Sequence, residues 1–268
     1  MQLMQISIHS DALARNFSAA AVSYEQWAGP QRLIARGLTK LLPEKGRFHS
    51  ILDVGCGTSY LTGLLHEHYP EACILGIDVA PEMVNVCRQR WADTRRLSFQ
   101  IADAERFDCR QRFDLVASSF CFQWFCARER SISRLAGMLN PGGIFACAMP
   151  VAGSLAELHE TYQSVLCEKM PGLEYASSEI YVNALAAAGL RIILSREETI
   201  QGLYKSGLHA LRAFKETGAT FKHHWGYAPR SAAEVKKIAQ YYECCYALAD
   251  GQVPITYNVL HVVAECVP

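Results

Sequence analysis

Residues 51–65, ILDVGCGTSYLTGLL, most constrain how this 268-residue chain can fold. Ile51 to Val54 form an apolar run, Gly55 and Gly57 follow at once, and Leu61, Leu64 and Leu65 then recur at helical spacing. A buried strand, a tight turn of nearly bare backbone and a helix are the elements such a pattern supports. Further strand-like runs at Ile74–Ile77, Leu97–Ile101, Leu115–Ser118 and Ile144–Met149 alternate with helical periods, the last over 127–139. Strand and helix repeated in this way predict a parallel, doubly wound α/β sheet.

The flanks extend that core. Residues 11–42 carry helical periodicity interrupted at Pro30. After Pro150 the spacing predicts helices in GSLAELHETYQSVL and SSEIYVNALAAAG, a strand in LRIILSREETI, helices in SGLHALRAFKETGA and SAAEVKKIAQYYECCYALADG, and a last strand in ITYNVLHVVAEC. Ser231 and Glu234 stand at capping-box spacing, and Val235, Ile238, Tyr242 and Tyr246 give that helix an apolar face. On the preceding helix, Leu208, Leu211 and Phe214 are expected to form the buried stripe, with His209 and Arg212 on another face and Lys215 near its border. The organisation expected is an N-terminal helical segment (1–48), a core (49–201), a helical insertion between the last two strands (202–252) and a final core strand (253–268).

Composition narrows the partners. Half the residues are hydrophobic, and 26 Lys and Arg balance 26 Asp and Glu, so no global charge draws the chain to nucleic acid or membrane. The 11 cysteines show neither CxxC pairs nor zinc spacing and read as reduced thiols, with no metal expected. The N-terminal residues lack a signal-like apolar stretch, and no later run is long enough to span a bilayer. A cytoplasmic monomer is the expectation.

Ligands of open α/β sheets bind beyond the carboxyl ends of the strands. Asp78, closing the run ILGID, lies where a carboxylate can accept both hydroxyls of a ribose, which implies a dinucleotide or another adenosyl ligand. Asp103, at the end of the third run, is placed to meet an adenine amino group. A dinucleotide fingerprint wants glycine or alanine where Tyr60 stands, which disfavours an NAD-dependent oxidoreductase. A nucleotide-binding protein without catalysis remains open.

The ordered set LDVGCGTSYLT, LGIDVAPEMV, ADAERF, FDLVASSFCFQW and LNPGGIFACAMP resembles the motifs of class I S-adenosylmethionine-dependent methyltransferases over 51–150. That resemblance implies a mostly parallel seven-stranded sheet and a cofactor, S-adenosyl-L-methionine, held by Asp53, Gly55, Gly57, Asp78, Asp103, Ala104 and Ser119. One departure stands out, since Ser59 replaces the last glycine of GxGxG. The segments NFSAAAVSYEQWA, FQW, AGSLAELHETYQSV, LHALRAFKETGAT and ITYNVLHVVAE are similar to the malonyl-[acyl-carrier protein] O-methyltransferase family of biotin synthesis, over nearly the whole chain. This implies methylation of the free carboxylate of a malonyl thioester, on a carrier protein or coenzyme A, under a helical lid. A methyltransferase for a free small acid such as aconitate is the alternative. Tyr24, Gln123, Trp124 and Lys215 are the candidates for the methyl-transfer channel, with Tyr257 as a further wall. A malonyl carboxylate is ionised at neutral pH, so no general base is needed. The carrier would be acidic, and Arg212, Lys222, His223, His224, Arg230, Lys236 and Lys237 are expected to gather positive charge in the insertion.

Overall fold

The computed structural model describes residues 2–44, 48–170, 172, 174–218 and 230–267, with no side-chain description for 2–9. Its elements are helices α1 (Gln2–Ala20), α2 (Tyr24–Trp27) and α3 (Gly29–Thr39), then β1 (Ser50–Val54), α4 (Tyr60–His68), β2 (Cys73–Asp78), α5 (Pro81–Arg90), β3 (Leu97–Ile101) and β4 (Phe113–Ser119). A short 3₁₀ turn, Phe122–Trp124, precedes α6 (Arg128–Ala136), β5 (Leu139–Pro150), α7 (Ala156–Leu166), α8 (Ser178–Ala187) and β6 (Leu190–Tyr204). The chain continues through α9 (Gly207–Glu216), α10 (Ala232–Tyr246) and β7 (Val253–Cys266).

The seven strands form one sheet in the order β3-β2-β1-β4-β5-β7-β6. β1 to β5 pair in parallel, whereas β7 runs antiparallel to both β5 and β6. Strand order reverses between β1 and β4, which opens a crevice at their carboxyl ends. Alternation explains how the apolar strands serve two faces. Ile51, Ile74, Leu115, Ala117 and Val263 join one core with α3, α4, α5, α9 and α10, while Leu52, Val54, Ile77, Val116 and Val262 join the other with α6 and α8.

Several elements differ from expectation at their ends. Pro30 does mark a helix boundary, and it does so from the first turn of α3, where its missing N–H costs nothing. β6 runs on to Tyr204, paired with Val253, so Gly202 is strand and the inserted segment spans 205–252. The capping box of α10 is present, with Ser231 Oγ accepting from Glu234 N–H at 3.2 Å and Glu234 Oε2 accepting from Ser231 N–H at 2.9 Å.

The buried stripe of α9 differs more. Gly207, Ala210 and Ala213 are buried, Leu211 and Phe214 are half-buried against the core, and Leu208 is 56% exposed. Close approach to α10 is the cause, because a Cβ on Gly207 would lie 2.4 Å from the Ala239 carbonyl oxygen. Only small residues fit that helix contact, and the larger ones are turned aside.

Candidate active site

Past β1 the chain turns through Gly55 (φ +70°), Gly57 (φ +53°) and Ser59 (φ +68°) into α4. The two glycines do different work. A Cβ on Gly55 would stand 2.4 Å from Cys121 Sγ at the end of β4, so glycine lets two strand ends approach. A Cβ on Gly57 would meet nothing within 4 Å, so its bare backbone faces open space in the crevice. Gly57 N–H donates to Asp78 Oδ2 at 2.9 Å, and Ala80 N–H donates to Oδ1 at 2.8 Å. Burial raises the Asp78 pKa, and these amide donors pull against it.

Ser59 keeps the left-handed conformation that the last glycine of GxGxG would adopt freely, at a cost of roughly 1–2 kcal/mol. Its Oγ accepts a 2.8 Å hydrogen bond from Trp91 Nε1, which offsets part of that cost. The C-terminal end of α5 grips the whole turn, for Arg90 Nη1 donates to Thr58 O at 2.8 Å and Cys87 Sγ to Gly57 O at 3.0 Å. Arg90 also pairs with Glu25 of α2 at 2.5 Å, tying the turn to the N-terminal helices.

The facing wall is the end of β4. Phe120 holds φ +59°, a second strained residue at the crevice, and Gln123 Nε2 donates to its carbonyl at 2.8 Å. One cavity of about 730 Å³, counting its open mouth, is lined by Phe17, Tyr24, Gly57, Asp78, Asp103 and Trp124 among others. A second, of about 480 Å³, includes Tyr24, Gln31, Arg32, Tyr60 and Phe120. They share Tyr24, Gly55, Gly57, Ser119 and Phe120, so one cleft crosses the strand ends.

The predicted residues fall into three groups. Tyr24, Gly55, Gly57, Asp78, Asp103, Ala104, Ser119 and Trp124 meet in the cleft. Burial, with the Asp78 charge behind it, raises the Tyr24 pKa far above the usual phenol range, so the hydroxyl stays a neutral donor. Asp103 is already engaged, since Oδ1 accepts from Glu105 N–H and Oδ2 from Ser10 Oγ, both at 2.9 Å.

The second group stands behind the cleft wall. Asp53 is fully buried, lines neither cavity, and accepts a 2.6 Å hydrogen bond from Thr62 Oγ1 of α4. Its pKa is pushed up to about 7, chiefly by burial, with the Thr62 bond opposing and the Asp78 charge adding. Gln123 is 2% exposed and braces Phe120, and Tyr257 is buried with its ring 5.4 Å from that of Phe120.

The third group lies away from it. Lys215 is exposed on α9 and lines neither cavity, because the small-residue face of that helix turns inward. Arg230 is engaged by Glu168 and Glu234. Lys222, His223 and His224 lie outside the described residues.

Sequence reasoning passed over Ser10, Phe17, Gln31 and Arg32. Phe17 and Arg32 gave only apolar or basic character on helices read as a preface to the sheet, and Ser10 and Gln31 gave no signal. Arg32 is half-buried, with Nη1 donating to Glu25 O at 2.8 Å, and a buried Gln31 Oε1 beside it has no hydrogen-bond partner among the described residues. Among the described residues no cluster of His, Cys, Asp and Glu has the makings of a metal site, and no helix is long and apolar enough to cross a membrane.

Comparison with known proteins agrees with this architecture. A family described as "Methyltransferase domain" matches residues 51–143. A malonyl-[acyl-carrier protein] O-methyltransferase from Herminiimonas arsenicoxydans is 34% identical over 265 residues, covering 96% of each chain. One of the same name from Brevibacillus brevis is 29% identical and covers 94% of each. Among solved structures, a geranyl diphosphate C-methyltransferase from Streptomyces coelicolor, in complex with S-adenosyl-L-homocysteine, shares the fold with a TM-score of 0.52 at 13% identity, covering 87% of this chain and 78% of its own.

Proposed function

This chain belongs to the malonyl-[acyl-carrier protein] O-methyltransferase family, and from that premise we propose that it methylates the free carboxylate of a malonyl group carried as a thioester on a carrier protein, as a step of biotin synthesis. The enzyme is a methyltransferase whose methyl donor is S-adenosylmethionine. The observation that carries the site assignment is the pairing of Asp78 with Gly57, a carboxylate bonded to the one turn glycine whose missing side chain leaves room for a ligand.

The residues of the cleft fit that donor. Asp78 retains acceptor capacity on both oxygens for the ribose hydroxyls. Asp103 and the backbone of Ala104 line the part of the cavity assigned to adenine, and Ser10 would yield or share Asp103 Oδ2 there. Gly55, Gly57 and Ser119 border the methionyl part, and Arg32 with Gln31 offers its carboxylate a cation and a polar neighbour. Asp53, being behind the turn, acts on the amino group only indirectly, through the position of α4. When bound, S-adenosylmethionine supplies an electrophilic sulfonium methyl to an ionised carboxylate, and no proton has to be removed.

Orientation is therefore the protein's task, a source of up to roughly 7–11 kcal/mol in well-aligned systems. Tyr24 is neutral, borders both lobes of the cleft, and offers an O–H that can fix a carboxylate without a full opposing charge. Trp124, edge-on to Phe17 at 5.5 Å, excludes water from the same region. Helices α9 and α10 of the insertion form the substrate lid. Incubation with malonyl-loaded carrier protein and labelled S-adenosylmethionine, read as label and one added methyl on the thioester, tests the proposal. Methylation of free malonate or aconitate with no turnover of the thioester would refute it.

A further inference from the structure

A substrate borne by a protein needs a surface beside the cleft on which that protein can rest. α9 provides an outward face of unusual character. Leu208, Arg212 and Lys215 recur at i, i+4 and i+7, and Lys205 precedes them at the end of β6. All four are exposed, Leu208 to 56%. Lys205 and Lys215 have no ion-pair partner among the described residues, and the only carboxylate paired on this face is Glu216, 3.7 Å from Arg212. In a chain of zero formal net charge, Lys205 and Lys215, with Arg212 beside Glu216, leave a local excess of positive charge around an exposed leucine.

The same helix adjoins the cleft through its other sides. At the border of the outward face Arg212 lies over the Trp27 ring at 5.4 Å, and on an adjacent side the His209 ring is tilted against Trp27 at 4.9 Å. Ser23, next to the cleft residue Tyr24, donates a 3.5 Å hydrogen bond to Glu216. A Cβ on Gly218 would lie 3.1 Å from the Phe17 ring, which lines the cleft. Arg230, ahead of α10, is occupied by two glutamates.

We propose that the outward face of α9, formed by Lys205, Leu208, Arg212 and Lys215, docks an acidic surface of the carrier protein that presents the malonyl group. The inference rests on the carrier-borne substrate proposed above. Its physical content is complementarity: a cationic face draws an anionic partner, speeds encounter and makes association salt-sensitive, while the leucine gives the contact an apolar centre. Lys215 thus serves the substrate's carrier rather than the reacting carboxylate.

The test compares malonyl-carrier protein with malonyl-pantetheine, which has the thioester without the protein. Lys205→Glu/Lys215→Glu is expected to lower kcat/KM for the carrier-borne substrate by tenfold or more, to flatten its salt dependence, and to leave malonyl-pantetheine turnover and cofactor affinity unchanged. Lys236→Glu/Lys237→Glu, equal charge reversals on α10, should have little effect. Equal losses on both substrates, or an unaltered carrier substrate, would overturn the surface. If wild-type enzyme methylates neither thioester, the proposed function fails by itself. The surface is then judged by anisotropy titration of labelled carrier protein against wild-type and reversed chains, where equal affinities reject it.

Discussion

The two sides of the cleft are built from different materials. On the cofactor side, the ligand-facing surface is largely backbone, fixed by hydrogen bonds that Asp78, Arg90 and Cys87 make to main-chain atoms of Gly57, Thr58 and Ala80. On the side proposed for the substrate, side chains of the N-terminal helices do the same work, held by the packing of Phe17, Tyr24, Trp27 and α9 and by side-chain bonds such as Arg90 to Glu25 and Ser23 to Glu216. A backbone surface tolerates almost no change in the residues that hold it. A side-chain surface can be retuned one position at a time, which suits a region that must select the substrate.

If this contrast is right, the largest effect belongs to Asp78→Ala. It removes two amide hydrogen bonds and the ribose acceptor, each charge-assisted bond contributing about 1.5–3 kcal/mol. A loss of cofactor affinity of about 100-fold is expected by calorimetry, together with a lower Tm. An intact affinity would break the comparison at its base.

The glycines sharpen it next. Gly55→Ala should destabilise the chain itself by about 1–3 kcal/mol, since its new methyl collides with Cys121 in a packed interior. Gly57→Ala should cost only about 1–2 kcal/mol for its positive φ yet abolish cofactor binding, because the methyl points into the cleft. Denaturant titration and calorimetry on the same two variants separate these outcomes.

Asp53 yields a pH signature. Its neutral form is favoured in the folded state, so its contribution to stability is complete below the ordinary carboxyl range and is lost as pH rises through about 7. Asp53→Asn should therefore melt progressively higher than wild type as pH goes from 5 to 8 in the absence of cofactor. A constant difference in Tm across that range would remove the buried charge from the account. The smallest effect is that of Trp91→Phe, which strips the indole donor from Ser59 and should cost about 1 kcal/mol, visible as a Tm shift of a few degrees.

Much of the cleft at the strand ends was legible in the sequence. Gly55, Gly57, Asp78 and Asp103 announce themselves because a strand-end turn demands particular residue types at fixed spacing, and the parallel, doubly wound sheet follows from the alternation of elements. Asp53 was legible as a residue but not as a position, since a side chain one pleat from the cleft looks identical in sequence to one on its wall. Lys215 and the α9 stripe escaped for another reason. Helical spacing identifies a face but not which face a neighbour allows inward, and the contact of Gly207 with Ala239 decided that in favour of small residues. Arg32 and Ser10 were hidden because helices outside the motif region carry no spacing rule that points to a ligand.

The strand order carries a consequence for how the molecule comes to be made. β6 touches no strand except β7, and β7 is the last element of the chain to be described. During synthesis, the fifteen residues of β6 have no strand partner until residues 253–266 emerge and pair with both β5 and β6. Arg191, Arg196, Glu197 and Glu198, spread along that waiting strand, give nascent chains a charged edge that resists pairing with one another in the interval.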